Sequence, residues 1–340
     1  MNGILQHTTR GSRSGRYVLA ALALILLLYP FVITNRYWLN LMITVFMFVA
    51  LGQAWNWVGG YAGQISFGHA AFFGIGAYTS TVLLVKWGVN PWLGMIAGAL
   101  VAGALAAIIG YPIFRLQGHY FAIATIALGE ILRIAFDNWD AVGGAAGIEL
   151  PIMSSSLIHF QFFSKVPYYF IALGLVLVAY AVTYWIETSR VGYYLRAIRE
   201  DQDAARALGV SLNTYKSIAL ILSAMMTAVV GTFYAQYILF IDPASTMSLD
   251  LSILISLVPV LGGAGTFWGP LLGGFVLIPV SELSRSFLGG GGRAYNLIFY
   301  GALIIVVAVL EPGGLWEIVR RWGRRPPAAP PSEEESHATA

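Results

Sequence analysis

No cysteine occurs in this 340-residue chain, so it has no disulfide framework, no thiolate metal site and no cysteine nucleophile. Charge is scarce too: 10% of the residues are Asp, Glu, Lys or Arg, against roughly 25% in a soluble domain. Only three lysines are present, Lys86, Lys165 and Lys216, and none follows a glycine, so the Gly-Lys-Ser/Thr ending of a phosphate-binding loop is missing. HExxH and GxSxG are absent, and His69, His119 and His159 fall on separate elements with no carboxylate at motif spacing. These gaps argue against an enzyme and give no metal centre; if ATP drives this protein, another chain binds it. The net charge of +3 makes no case for nucleic acid, because the basic residues are mostly arginines at the ends of apolar runs.

What is present is hydrocarbon-compatible. Hydrophobic residues make up 58% of the chain and the mean hydropathy is +0.74. The apolar runs are continuous rather than alternating, which predicts an all-α polytopic membrane protein and not a barrel. About ten transmembrane helices are expected, near 17–34, 39–58, 65–85, 92–114, 120–136, 166–186, 215–238, 249–261, 269–288 and 295–311. The fifth and eighth are short enough to be tilted or broken. The first follows Arg10, Arg13 and Arg16 but has no small-residue cleavage site, so it counts as a span. Residues 1–16 then form a basic cytoplasmic tail, 17–315 the membrane domain, and 316–340 a cytoplasmic tail that reads as disordered, above all in its Pro-, Ala- and Glu-rich part from Pro326. Ten spans place the N-terminal tail, the 187–214 connection and Arg320, Arg321, Arg324 and Arg325 on one side, the cytoplasm by charge bias. The 137–165 connection, with Asp137, Asp140 and Glu149, falls on the other.

The charged island at 187–214 is the most informative stretch. Asp201 and Asp203 suit the start of a short helix, and Gly209 suits its end. Tyr194, Leu195, Ile198, Ala205 and Leu208 recur at roughly helical spacing beside the charges. Two readings stand on these features: a docking element for a soluble partner, or a solvated basic loop.

Two glycine-rich segments, Gly59–His69 and Gly262–Gly274, sit between spans on the same side as that island. Glycine at this density lets helices approach closely and lets the backbone leave helical geometry where protein or a watery cavity satisfies it. The similarity of the two is too slight to mark a repeat. Gln64, Ser66 and His69 lie at the start of a span, where polar groups signal a permeation path or a hydrogen-bonded helix contact. Glu130 with Arg133, and Glu282 with Arg285, are spaced to pair along one helix face, and Gln53 and Asn56 are placed to bond across helices.

The loop Arg196-Ala197-Ile198-Arg199-Glu200-Asp201 with Asp203-Ala204-Ala205-Arg206-Ala207-Leu208-Gly209 resembles the coupling motif of ABC importer permeases, with Asp203 in place of the usual Glu. Together with GYAGQISFGHAAFFGIGAY and GGAGTFWGPLLGG, in the same order, it is similar to the LivM-type permeases of branched-chain amino acid importers over about 39–315. The resemblance implies a multi-pass permease in the bacterial inner membrane with both termini cytoplasmic. Its partners would be a second homologous permease, two cytoplasmic ATPases holding ATP and magnesium, and a periplasmic or extracellular substrate-binding protein; the chain itself would bind lipid and no cofactor. Arg196, Ala197, Ile198, Arg199, Glu200, Asp201, Asp203, Ala204, Ala205, Leu208 and Gly209 would couple to one ATPase. Their apolar stripe would fill its groove, while Arg199, Glu200, Asp201 and Asp203 would make rim pairs. Gly63, Gln64, Ser66, Gly68 and His69 would belong to the translocation path. One departure from the family is Val142–Ile148, which lacks the hydroxyls of a TGGS-like segment and leaves the substrate open among branched-chain and other amino acids, urea and short amides. A secondary transporter or channel for a small polar solute is the alternative.

Overall fold

The second long apolar run starts where Asn35 accepts a hydrogen bond from the Tyr37 amide at 2.9 Å, capping helix α1, Arg36–Asn56. A five-residue π-turn, Trp57–Tyr61, prolongs it, and the chain then runs unwound to His69. In this computed structural model the described residues are 25–33, 35–116, 118–287, 301 and 313–323. Helices α2 (His69–Trp87), α3 (Pro91–Ile113) and α4 (His119–Asp137) follow. Asn90 caps α3 through the Trp92 amide, and Pro91 fits its first position, where no amide donor is needed.

After α4 come two 3-10 turns, Asp140–Val142 and Gly144–Ala146, and the short strand β1, Ile148–Glu149. Helix α5, Val166–Thr188, leads to the amphipathic pair α6 (Arg190–Glu200) and α7 (Gln202–Ala207). Then follow α8 (Leu212–Ile238), β2 (Phe240–Ile241), α9 (Pro243–Thr246), α10 (Leu249–Gly262), α11 (Gly269–Phe287) and α12 (Leu315–Gly323).

Among the described residues seven stretches are long and apolar enough to cross a membrane, and Gly269–Leu283 is a shorter apolar helix. Their bounds fall within a few residues of the second to ninth expected spans. The first expected span is described only from residue 25, helical through 32, and the tenth, 295–311, lies outside the described residues apart from 301. The count of ten is therefore not established. The expected 316–340 tail begins as a helix rather than as disordered chain, because Leu315 and Trp316 pack back on the protein; the part from Pro326 lies outside the described residues.

Small residues set the packing. A Cβ at Gly76 of α2 would strike the Ala228 carbonyl of α8, one at Gly231 of α8 would strike the Phe73 carbonyl, and α3 closes the group where a Cβ at Gly98 would lie 3.1 Å from Gly76. On the other side of α1, α10 and α11 pack at Gly273 and Val258, with Gly52 of α1 against Val258. Helix α1 is the hub, with 89% of its apolar stretch buried.

The connections sort to two ends. At one end β1 pairs antiparallel with β2, Lys86 Nζ donates to the Ala141 carbonyl at 2.5 Å, and Trp92 Nε1 donates to the Leu157 carbonyl at 2.7 Å. At the other end lie the two glycine-rich segments, the α6–α7 pair and the start of α12. This alternation agrees with the order of spans expected from the sequence.

Candidate functional site

The site is built where α1 loses its helical form. Breaking a helix leaves backbone groups without intrahelical partners, and at membrane depth each must find a protein partner. The unwound segment 62–68 meets that demand by borrowing. Trp55 Nε1 donates to the Ser66 carbonyl at 2.7 Å, and the Phe67 amide donates to Thr125 Oγ1 of α4 at 3.0 Å. The Gly68 amide donates to Ser66 Oγ at 3.3 Å, and the Ala70 amide to Ser252 Oγ of α10 at 2.9 Å. His69 is fully buried, its Nε2 2.8 Å from Ser223 Oγ of α8. Ser223 lies eleven residues into α8, roughly 16 Å from its start at 1.5 Å per residue, so the segment descends deep into the helical body.

The expected path residues are thus brought together, but as a sealed, hydrogen-bonded seam. Gln64, Ser66 and His69 are buried, while Gly63 and Ile65 are exposed. Gln64 Oε1 and His69 Nδ1 have no protein partner. Apart from this seam, a cavity of about 230 Å³ opens toward the opposite end, between Phe48, Phe73, Tyr234, Tyr237, Ser245 and Glu282. No spacing in the sequence pointed to it, because its walls come from residues scattered over α1, α2, α8, α9, α10 and α11.

The two glycine-rich segments touch. Asn56, completely buried, accepts the Gly265 amide on Oδ1 at 2.7 Å and donates from Nδ2 to the Thr266 carbonyl at 3.0 Å. From outside, Arg199 of α6 donates through Nη1 to the Gly60 carbonyl at 2.8 Å. Its guanidinium lies against Gly265, where any Cβ would collide with it. Its stem passes Gly63, whose φ of +67° already demands glycine. Arg199 therefore joins α6 to both breaks at one point. A second tie stands beside it: Glu187 Oε1 accepts from Tyr61 Oη at 2.7 Å and from Arg196 Nη2 at 3.0 Å.

Helix α7 starts as its sequence suggests. Asp201 Oδ1 accepts the amides of Asp203 and Ala204 at 2.9 and 3.0 Å, and Gly209 closes the turn with φ +82°. The orientation of the loop corrects the expectation. Leu195, Ile198 and Ala205 face inward and are buried in this chain, the latter two beside Leu212. Those three residues thus cover the protein's own surface, and of the expected stripe Leu208 alone is left largely exposed. Arg199 turns inward, Asp201 is a cap, and Asp203 pairs with Arg206 at 3.1 Å, so of the expected rim charges Glu200 alone has no such engagement among the described residues. What faces outward is Ala204, Arg206, Leu208 and Gly209, with Leu208 85% exposed and Tyr193 75%.

Other pairings fall as expected. Gln53 Nε2 donates to Thr183 Oγ1 of α5 at 2.6 Å, and Arg133 Nε donates to Glu130 Oε2 at 3.0 Å. The Arg285 side chain lies outside the described residues. Among the described residues no group of three His, Asp or Glu converges as a metal site.

A bundle of apolar helices, broken at glycine-rich turns and clasped there by a folded basic loop, defines a polytopic membrane protein of the transport type. Residues 37–308 match the model of the family described as the permease component of the branched-chain amino acid transport system, and the chain belongs to that family. It is 29% identical over 326 residues to the high-affinity branched-chain amino acid transport system permease protein LivM of Escherichia coli (strain K12), covering 89% of this chain and 75% of that one. The LivM protein of Salmonella typhimurium matches to the same extent. The permease protein LivH of Escherichia coli (strain K12) is 27% identical over 289 residues, covering 80% of this chain and 91% of that one. No solved structure matches.

Proposed function

We propose that this chain is a membrane subunit of an ATP-driven importer for branched-chain amino acids, paired with a second permease and worked by two ATPases through the 196–209 loop. ATP and magnesium belong to the ATPases, and a binding protein outside the membrane delivers the substrate. The membrane is the bacterial inner membrane, and both termini face the cytoplasm, the side of the basic loop. Family membership supports the transport role. The bond from Arg199 to the Gly60 carbonyl carries the coupling role, because it joins the loop to the backbone breaks beneath it.

In this reading one of the ATPases seats on the outward face of α7, chiefly Ala204, Leu208 and Gly209, with Glu200 and Arg206 at the rim. Nucleotide binding draws the ATPases together and shifts α6 and α7 as one body. Arg199 and the Tyr61–Glu187–Arg196 cluster carry that shift to the π-turn, a helix form frequent at functional sites. Segment 62–68 then exchanges its borrowed partners, and the seam opens. Such a two-state element, biased by a ligand on another chain, is sufficient for alternating access.

Asp203→Lys and Leu208→Asp test this directly, since both side chains are exposed and neither caps a helix. Tagged variants are expected to insert normally yet lose co-purifying ATPases and ATP-dependent leucine uptake by tenfold or more. Full uptake with normal co-purification in both would refute the docking role.

A further inference from the structure

Helix α4 is out of place as a lipid-facing span. Only 17% of its apolar stretch is buried, the least of the seven candidate spans, yet it carries an ion cluster within its length. Arg133 donates from Nε to Glu130 Oε2 at 3.0 Å and from Nη1 to Asp137 Oδ2 at 2.6 Å. These side chains are 27% (Arg133), 45% (Glu130) and 23% (Asp137) exposed. At 1.5 Å per residue the 19-residue helix is about 28 Å long, which places Glu130 roughly 16 Å from its start, near the middle of a hydrocarbon core about 30 Å thick. Charged groups at that depth are costly against lipid and face protein or enclosed water.

The rest of the helix fits the same conclusion. Its inner face, Phe121, Thr125 and Gly129, closes on the unwound segment, with Phe67 bonded to Thr125 and Gly68 against Gly129. Its outer face presents Tyr120, Ile123, Ile131 and Ile134, each 48% exposed or more. Helix α4 is therefore a thin wall between the seam and whatever lies outside.

We propose that this face of α4 is the seat of the second permease, an identification that rests on the importer reading above. The occupant is a second, non-identical membrane chain of the same family, which offers a cationic or hydrogen-bond-donating group at the depth of Glu130. Two carboxylates and one guanidinium leave the cluster one formal negative charge. Pairing the face with its own copy about a two-fold axis would oppose two such clusters, which disfavours a homodimer here.

The absence of cysteine makes the test clean. Ile123→Cys and Ile131→Cys on α4, with Ile108→Cys on α3 as a control that is 73% exposed, are labelled with a cysteine-reactive benzophenone in the intact importer in its native membrane and irradiated. Adducts are identified by peptide sequencing, and ATPase co-purification is scored in the same samples. The proposal predicts adducts with a different permease of the family from positions 123 and 131, at least tenfold above position 108. Equal labelling of lipid at all three positions, a self-adduct, or an adduct only with an ATPase or binding protein would overturn it. Loss of the α4 adduct with ATPases present would remove this surface alone. An α4 adduct without any ATPase would instead remove the importer reading.

Discussion

The two glycine-rich breaks solve one physical problem in opposite ways. The second, at 262–269, is closed largely by its own side chain, with Asn56 of α1 as its tie to the first: Thr266 Oγ1 donates to the Gly263 carbonyl at 2.7 Å and accepts the Gly269 amide at 3.1 Å, so one side chain caps both edges of the turn. The first, at 59–70, depends on other elements, drawing partners from α4, α6, α8 and α10. A break capped largely from within behaves as a fixed corner. A break satisfied from four sides changes whenever one of those sides moves, so the first is the working part and the second its anchor.

Asn56 is the sharpest place to break this distinction, since it is the bond between the two. Asn56→Ala strands the Gly265 amide and the Thr266 carbonyl, at about 1–3 kcal/mol for each buried group left unmet. Thermal unfolding of the purified complex should register a loss of several degrees, and an unchanged transition would show that the segments are held by other means. A smaller effect separates the two breaks. Thr125→Val removes the acceptor of the Phe67 amide and is expected to cost about 1–3 kcal/mol and to lower uptake with it. Thr266→Val should cost a similar amount of stability while leaving uptake per folded complex unchanged, because its bonds are internal to the anchor. Equal effects of the two on uptake would erase the difference between hinge and corner.

Much of this was legible in the sequence. Apolar runs gave the described spans to within a few residues, and Asp201 and Gly209 marked the ends of α7 because caps are local chemistry. The direction of the amphipathic stripe was not legible: Leu195 and Ile198 have the same periodicity whether they cover their own chain or another. The meeting of Asn56, Gly60, Arg199 and Gly265 was equally hidden, since it joins residues up to 209 positions apart and leaves no spacing to read. The cavity near Glu282 escaped for the same reason.

The central claim is that the loop drives the first break through Arg199. Arg199→Ala in the importer reconstituted with its ATPases and binding protein tests it most directly, with ATP hydrolysis and leucine uptake measured on the same vesicles. Arg199→Lys serves as the conservative control, keeping the charge but not the planar fork. The account predicts that Arg199→Ala keeps its ATPases and hydrolyses ATP while uptake per ATP falls at least tenfold, with partial recovery in Arg199→Lys. Uptake per ATP equal to the unaltered protein in Arg199→Ala would contradict it.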